Sequence, residues 1–346
     1  MQTQLTGLTS LRFIAALMVV FHHVMDFSLS PIHPEIIQRG GLAVDLFFVL
    51  SGYILTHVYG DAFRNDLSAA YAFLSARLAR LYPVHLFVLT VFAALVIASA
   101  LTGHQINTER YSVSGLLSHL ALVDAWGIGP ARMTWNYPAW SISAEWAAYL
   151  AFPVLTYVTS KARPSWQFVV VAMAWIVCCG PFHLARRTVD FSVVRILPEF
   201  LMGMLAYRLL PPTKKVLFAN IQIVALSIVI FVAISLSIPD AWITLAFVYL
   251  IVLIPSADRL AGSILTNRHL ISLGEESYSL YMVHVLIFGL FYGALRSFRH
   301  VWAPQMFDVI AILLAIGAAK LLYHYVEVPG RTYVRDALAF REWRAL

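Results

Sequence analysis

The stretch Leu8–His23, LTSLRFIAALMVVFHH, decides the fold expected of this chain. It is apolar and long enough for a helix, with Arg12 near its start and His22 and His23 at its end. At about 1.5 Å per residue, Arg12 and His23 lie roughly 16 Å apart along the helix axis, about half of a bilayer core. Eleven residues at about 100° each make close to three turns, so both side chains share one face. A cation and a titratable base on one face of a membrane-length helix indicate an intramembrane site.

Composition indicates a polytopic membrane protein built from helices. The 346 residues are 60% hydrophobic and only 12% charged, against about 25% charged in an average soluble domain. The mean hydropathy is +0.77. A window of about 19 residues predicts an all-α bundle of about ten transmembrane helices. The predicted spans are 9–27, 40–58, 83–102, 139–159, 166–181, 191–209, 217–237, 241–256, 276–295 and 304–325.

The loops between these spans predict the topology and the domain organisation. Lys and Arg favour one set of loops by about two to one, which predicts that both termini are cytoplasmic, although Arg186 and Arg187 fall on the other side. The net charge of +6 is explained by these loop cations, so no nucleic-acid partner is expected. We expect one membrane domain over residues 1–332 and a short basic cytoplasmic tail over 333–346. The first helix lacks the pattern of a cleaved signal peptide.

The only cysteines, Cys178 and Cys179, are neighbours inside an apolar run. They provide neither a disulfide framework nor metal-ligand spacing, so we interpret them as small buried residues and expect no metal site.

Two connections are long enough to be more than turns. The segment 61–82 has an amphipathic pattern ending in RLARLYP and is predicted to lie on the inner membrane surface. The segment 103–138, predicted on the outer side, contains Trp126, Trp135 and Tyr137. These rings are typical of aromatic anchors at the membrane interface, and the alternative is a platform for a sugar.

Ionisable residues inside the apolar spans are few, and each should face the protein interior or a wet cavity and have a partner. Such a cluster fits a proton-coupled transporter or a transferase. In a transferase, a neutral His23 can take the proton from a hydroxyl as it attacks an acyl carbon. The residues concerned are Arg12, His22, His23, Asp26, Asp45, Glu145, Arg195, Glu199, His284 and Lys320.

Arg77 and Arg80 lie three residues apart, on one face of a helix, just before Pro83. Two guanidinium groups in this arrangement can chelate a phosphate group. Their spacing alone favours ordinary snorkelling cations at the inner surface over a phosphate site.

Three further polar patterns fall within predicted spans. GGLAVDLFFVLSGYIL contains the buried acid Asp45, and its Ser51 and Gly52 would allow the close approach of another helix. WSISAEW brings Trp140, Ser141 and Glu145 together, with Ser141 and Glu145 four residues apart on one face. SYSLYMVH forms a polar stripe in an apolar helix, made by Ser277, Tyr281 and His284.

The order of these motifs resembles acyltransferase family 3, the bacterial integral-membrane acyltransferases. The resemblance rests on TSLRFIAALMVVFHH, with Arg12 and His23 separated by ten residues, then GGLAVDLFFVLSGYIL, RLARLYP, WSISAEW, SYSLYMVH and VEVPGR. It covers nearly the whole chain, from Leu8 to Arg331. It implies a bundle of about ten helices that moves an acyl group, most often acetyl from cytoplasmic acetyl-CoA, to a hydroxyl of a carbohydrate.

The resemblance also implies roles for individual residues. His23 matches the family's essential histidine, Arg12 its paired arginine, and Arg77 and Arg80 the two-arginine motif associated with the CoA phosphates, which reverses the preference from spacing. Glu145 matches the acidic residue of WSISAEW, and Glu327, Pro329 and Arg331 match the closing element of the last helix. The predicted catalytic set is His23, Arg12, Glu145 and Asp45. The predicted CoA-binding set is Arg77, Arg80 and Arg331. The predicted substrate-binding or supporting residues are His22, Trp140, Ser141, Ser279, Tyr281, His284 and Glu327.

The expected function is therefore O-acyl transfer in the bacterial inner membrane, from an acyl-CoA to a carbohydrate or glycolipid acceptor. His23 would act as the general base or would first accept the acyl group itself, and the sequence leaves both open. The alternative is a proton-coupled transporter or exporter of a sugar-like or acylated solute. Arg77 and Arg80 discriminate between the two, because a transporter has no use for a phosphate site there.

Overall fold

The computed structural model of the chain describes residues 5–31, 34–63, 69–128, 134–179, 192–257, 264–295 and 303–337. All regular secondary structure within these ranges is helical, which confirms the all-α prediction. Short 3₁₀ turns occur at Gly40–Leu42, Tyr137–Ala139 and Ile254–Ser256, and a π-helical turn at Tyr323–Glu327. The α-helices are α1 (Thr6–Val24), α2 (Glu35–Gln38), α3 (Ala43–Tyr59), α4 (Ala70–Leu101), α5 (Val113–Leu120), α6 (Trp140–Thr159), α7 (Pro164–Cys179), α8 (Ser192–Leu209), α9 (Ala219–Ser235), α10 (Asp240–Leu253), α11 (Arg268–Glu275), α12 (Ser277–Ala294), α13 (Pro304–Leu322) and α14 (Val328–Ala337).

Each of the ten predicted spans coincides with a helix. Among the described residues, five stretches are long and apolar enough to cross a membrane: Thr6–Val24, Gly40–Tyr59, Ala70–Leu101, Ser277–Ala294 and Pro304–Ala337. Helices α7, α9 and α10 belong to shorter apolar stretches. Many large apolar side chains of α7 and α9 point outward, as they do on surfaces that meet lipid. Arg186 and Arg187, the exceptions to the charge bias, lie outside the described residues, as do positions 338–346 of the predicted tail.

The predicted inner-surface segment is not separate from the following span. Helix α4 begins at Ala70 and continues through Pro83 to Leu101, so Arg77 and Arg80 belong to the same helix as the apolar stretch. Ala, Leu and Arg are strong helix formers, and they carry the helix through a proline that lacks one hydrogen bond. Residues 64–68 of the predicted segment lie outside the described residues.

The last helix also extends beyond its predicted end at residue 325. Helix α13 passes through the π-helical turn into α14, whose described residues extend to Ala337. Helix α14 packs on α4, and a Cβ added to Gly330 would lie 2.5 Å from the Cβ of Pro83. This contact brings the π-helical turn beside the arginines of α4.

Helices α3 and α8 touch backbone to backbone. A Cβ added to Gly52 would lie 2.0 Å from the carbonyl oxygen of Phe200, and one added to Gly203 would lie 2.0 Å from that of Val49. Small residues permit such an approach in membrane bundles. The expectation that another helix approaches Gly52 closely is therefore confirmed.

Helix α1 occupies a central position in the bundle. It packs against α3, α11, α12 and α13, and its Ala15, Ala16, Val19 and Val20 are almost fully buried. The polar side chains of α1 consequently face neighbouring helices.

Candidate active site

A cavity runs between α1, α3, α4, α6 and α12, and it leaves about 830 Å³ of empty space, part of it open to solvent. Six of the predicted site residues line it: Arg12, Arg77, Arg80, Ser141, Glu145 and Tyr281. We call this space the arginine cavity, because Arg12, Arg77 and Arg80 meet there from two helices that are separate in the sequence.

The three guanidinium groups are held differently. Arg77 donates to the hydroxyl of Tyr59 at 2.8 Å and stacks over the same ring at 5.1 Å, while its buried Nε has no hydrogen-bond partner among the described residues. The guanidinium of Arg12 forms no hydrogen bond or ion pair within the part of the chain that the structure describes. The cavity therefore presents N–H donors that the described protein groups do not use.

Arg80 is held by an acid behind the cavity wall. It forms an ion pair with Glu327, whose side chain is fully buried in the π-helical turn. Ser279 donates to the other carboxylate oxygen at 2.6 Å, and Arg331 donates to Oε1 at 2.7 Å. Arg331, predicted to bind CoA, therefore contacts Glu327 and does not line the cavity.

Glu145 is a carboxylate that lines the same cavity as the arginines. Its Oε1 accepts hydrogen bonds from Ser51 at 2.6 Å and from Tyr149 at 2.5 Å. Tyr149 lies four residues after Glu145, one helical turn along α6. These bonds fix the direction of the carboxylate and leave it beside Arg12, with which it interacts electrostatically.

The predicted base, His23, lies beyond the far end of this cavity. Its Nδ1 is 2.8 Å from Nε2 of His284, and the two rings stack with centroids 5.0 Å apart. His22 points elsewhere, with Nδ1 3.3 Å from the carbonyl oxygen of Ile37. The structure thus brings His23 and His284 together, and places His22 in a packing position against α2.

Two hydroxyl groups separate the arginine cavity from the histidines. Ser141 donates to the hydroxyl of Tyr281 at 2.7 Å, and Tyr281 donates to the carbonyl oxygen of Pro138 at 3.0 Å. The Tyr281 ring lines the cavity on one side, and its centroid lies 5.9 Å from that of His284. A molecule that extends from the arginines to His23 must pass this Ser141–Tyr281 pair.

Asp45 is not brought to the cavity, although sequence reasoning grouped it with the catalytic residues. It is fully buried, and its Oδ1 accepts two hydrogen bonds from Arg195, at 2.8 and 2.5 Å. Glu199 lies 4.0 Å from Arg195, and the guanidinium stacks 5.6 Å from the centre of Trp140. The geometry favours a structural role for Asp45 and Trp140, because their partners lie in the contact between α3 and α8.

The segment predicted on the outer side, 103–138, contains helix α5, and several of its described residues pack onto the bundle. Trp135 is buried against Tyr111, with centroids 5.4 Å apart, and the indole N–H of Trp126 donates to the carbonyl oxygen of Ser143. Trp135 is therefore not available as a sugar platform. Tyr137 instead packs edge-on against His23 at 5.2 Å and donates to Asp26 at 2.8 Å. Burial and the nearby Asp26 raise the pKa of the Tyr137 hydroxyl, which keeps it protonated.

The same segment contains the buried acid Asp124. Burial raises the pKa of its carboxyl group to about 7, and it lies 3.9 Å from Nε2 of His119. Burial lowers the pKa of His119. Within the described ranges, no group of three His, Cys, Asp or Glu side chains is arranged as metal ligands would be.

Three tyrosines that support the cavity were missed at the level of sequence. Tyr59 bonds Arg77, Tyr149 bonds Glu145, and Tyr278 lies under Arg80 at 5.6 Å from its guanidinium carbon. Only Tyr149 had a usable signal, because its spacing of four from Glu145 predicts contact on a helix. Tyr59 and Tyr278 meet their arginines across helices, which no local pattern reveals.

An arginine-lined cavity and matched motifs along nearly the whole chain agree with the comparison to known families. The family profile described as "Acyltransferase domain" matches residues 5–324. The chain belongs to acyltransferase family 3. Membership of acyltransferase family 3 identifies the protein as an enzyme.

Curated relatives agree with this assignment. The acyltransferase MdmB of Streptomyces mycarofaciens is 26% identical over 94% of this chain and 91% of its own length. The O-acetyltransferase OatA of Staphylococcus aureus (strain NCTC 8325 / PS 47) is 23% identical over 97% of this chain. The chain spans 58% of the length of OatA. No solved structure matches the chain.

Proposed function

We propose that this acyltransferase moves an acyl group, most simply acetyl, from an acyl-CoA to a hydroxyl of a carbohydrate or cell-envelope glycan. The observation that carries the proposal is the charge of the arginine cavity. Three guanidinium groups and one carboxylate line it, so it favours a ligand with several negative charges. The phosphates of CoA supply such charges, and two of the three arginines hold N–H groups that the described protein atoms do not use.

The route of the donor follows α1. Phosphate groups held near Arg77 and Arg80 would leave the pantetheine arm to run past Arg12 toward His23, roughly 16 Å further along the helix. An arm of about half a bilayer in length suits this distance. The arm would displace the hydrogen-bonded Ser141–Tyr281 pair, which lines the cavity on the side of His284.

In the transfer step, the oxygen of the acceptor hydroxyl attacks the carbonyl carbon of the thioester. His23 takes the hydroxyl proton, the carbon–sulfur bond breaks, and the proton passes to the departing thiolate. The same geometry supports a two-step route in which Nε2 of His23 first bonds to the acyl carbon and then releases the acyl group to the hydroxyl. Arg12 and Glu145 would orient the arm below the reacting carbon.

The acceptor would approach from the side of Tyr137 and Asp26. MdmB and OatA carry acyltransferase and O-acetyltransferase in their names, which supports a hydroxyl as acceptor. The exposed carboxylate of Asp26 can accept hydrogen bonds from a polyol in addition to the one from Tyr137. We also propose a location in the bacterial cytoplasmic membrane with about ten spans and both termini inside.

The test is transfer of label from radiolabelled acetyl-CoA to envelope glycans in membrane vesicles that contain the chain. We expect label in the glycan fraction above that of vesicles without the chain, and mass spectrometry of the product would name the acceptor. Equal labelling with and without the chain, across acetyl-CoA and longer acyl-CoA donors, would contradict the proposal.

A further inference from the structure

A chain of hydrogen-bonding groups links the backbone of α12 to His23. Nδ1 of His284 lies 3.2 Å from the carbonyl oxygen of Leu280, one turn earlier in the same helix. Nε2 of His284 lies 2.8 Å from Nδ1 of His23. The order is therefore Leu280 carbonyl, His284 ring, His23 ring, with one end fixed by the backbone.

The carbonyl oxygen determines where the ring hydrogens are. It can only accept a hydrogen bond, so Nδ1 of His284 carries a hydrogen. A neutral imidazole has a single N–H, so Nε2 of His284 is an acceptor and Nδ1 of His23 must donate to it. The hydrogen of a neutral His23 is then on Nδ1, and its Nε2 carries a free lone pair.

The alternative, in which His284 is an imidazolium that donates to His23, needs a neighbouring counter-charge. His284 is fully buried, and its ring neighbours besides His23 are Tyr281 and Phe288. No described carboxylate forms an ion pair or hydrogen bond with it. A buried cation without a partner is strongly disfavoured, so the neutral arrangement holds.

The free Nε2 of His23 is on the accessible side of the ring. His23 is only partly buried. Among the described residues, its Nε2 is not one of the buried polar atoms that lack a hydrogen-bond partner. Tyr137 packs against this ring and donates a hydrogen bond to the exposed Asp26.

We infer that His284 is a positioning residue that holds His23 as the Nδ1–H tautomer and aims Nε2 at the acceptor hydroxyl. The positioning role of His284 rests on the proposed acyl transfer, whereas the tautomer of His23 does not. The hydroxyl proton moves to Nε2, the oxygen bonds to the acyl carbon, the carbon–sulfur bond breaks, and the proton then moves from Nε2 to the thiolate. Nδ1–H remains bonded to His284 throughout.

The partner of His23 is thus neutral, unlike the carboxylate that usually orients a catalytic histidine. A neutral side chain that places an acceptor atom near the position of Nε2 should therefore substitute for His284. His284→Gln offers a carbonyl oxygen in about the position of Nε2, whereas His284→Met has the same length and no strong acceptor. The two variants therefore separate the hydrogen bond from packing.

The experiment combines nitrogen NMR with kinetics on the full chain in lipid bilayers. With ¹⁵N-labelled imidazole, the His23 signals are identified by their loss in His23→Gln among the 12 histidines. We expect a protonated Nδ1 and a bare Nε2 in the native protein and in His284→Gln, and a change of tautomer in His284→Met. We expect kcat to fall about 10- to 100-fold in His284→Met, with KM for acetyl-CoA unchanged, and to stay within a few-fold in His284→Gln.

Two results would overturn the inference: a hydrogen on Nε2 of His23 in the native protein, or a native tautomer and native kcat in His284→Met. If His284→Met does not fold, the NMR of the native protein still decides the tautomer. Absence of any acyl transfer together with the expected tautomer would count against the proposed function and not against the tautomer.

Discussion

Arg80 is ion-paired with Glu327, a residue 247 positions later in the chain. Glu327 has no exposed surface, whereas the Arg80 side chain is 23% exposed and faces the arginine cavity. The buried acid therefore anchors the cation at the cavity wall, and the π-helical turn that contains Glu327 becomes part of the site. This relationship connects the first half of the bundle to its last helix.

Removal of that anchor should destabilise the protein. Glu327→Ala leaves Arg80 without its ion pair in a mostly buried position, and loss of one partner of a buried pair costs about 3–5 kcal/mol. We expect a clearly lower thermal midpoint in detergent. Arg331→Ala is the control, because Arg331 also contacts Glu327 but its side chain is 39% exposed, so its loss should cost only about 0–1 kcal/mol. Equal midpoints for both variants would show that Glu327 does not anchor Arg80.

The charge of the cavity should determine the affinity for CoA. Arg77→Gln removes a guanidinium that lines the cavity, and a charge-assisted hydrogen bond is worth about 1.5–3 kcal/mol. We expect roughly 10- to 100-fold weaker CoA binding by titration calorimetry. Lys161→Gln removes a cation that lies over Tyr157, away from the cavity, and should leave Kd unchanged. A similar loss in both variants would mean that net charge and not this site binds CoA.

The close contact of α3 and α8 should not accept a methyl group. In Gly203→Ala the new Cβ would lie 2.0 Å from the backbone oxygen of Val49, so the helices must separate, at a cost of about 1–3 kcal/mol. In Gly317→Ala nothing lies within 4 Å of the new Cβ, and stability should be unchanged or slightly higher. Denaturation of both variants in the same detergent checks this, and a native-like Gly203→Ala would contradict the described contact.

The raised pKa of Asp124 predicts a pH dependence of stability. Burial raises this pKa from its ordinary 3.8 to about 7, so between these values the folded protein binds more protons than the unfolded chain. The stabilisation from Asp124 is full below about pH 4 and is lost as the pH rises to about 7, by about 4 kcal/mol at most. Asp124→Asn should not show this loss, so its thermal midpoint should exceed that of the native chain increasingly from pH 5 to pH 8. Burial lowers the pKa of His119, which changes stability with pH in the opposite direction, and this contribution is present in both proteins. A constant difference across this range would rule out the assignment.

Local patterns were sufficient for the helices and for much of the site. Each of the ten predicted apolar runs coincides with a helix, and Ser141 and Glu145 line one cavity, as their spacing of four suggested. His22 and His23 diverge by about 100° on a helix, which explains why His22 contacts Ile37 while His23 contacts His284. The resemblance of the motifs supplied the roles expected of the arginines.

Pairs of residues that meet across different helices could not be predicted from the sequence. Asp45 and Arg195 were each recognised as costly ions, but their pairing is set by the crossing of α3 and α8. The Arg80–Glu327 pair likewise depends on the packing of α14 on α4. The predicted span began at residue 83, although helix α4 already begins at Ala70. Hydropathy marks the apolar part of a helix and does not mark where the helical backbone begins.

The central claim is that CoA binds at the arginine cavity while the chemistry occurs at His23, beyond Tyr281. The most direct measurement compares His23→Gln with the native chain for CoA binding and for acetyl transfer in the same bilayer preparation. We expect an unchanged Kd for CoA and a loss of transfer of about 10²- to 10⁴-fold, since the variant lacks the base. Transfer at the native rate, or a loss of CoA binding as large as the loss of transfer, would contradict the account.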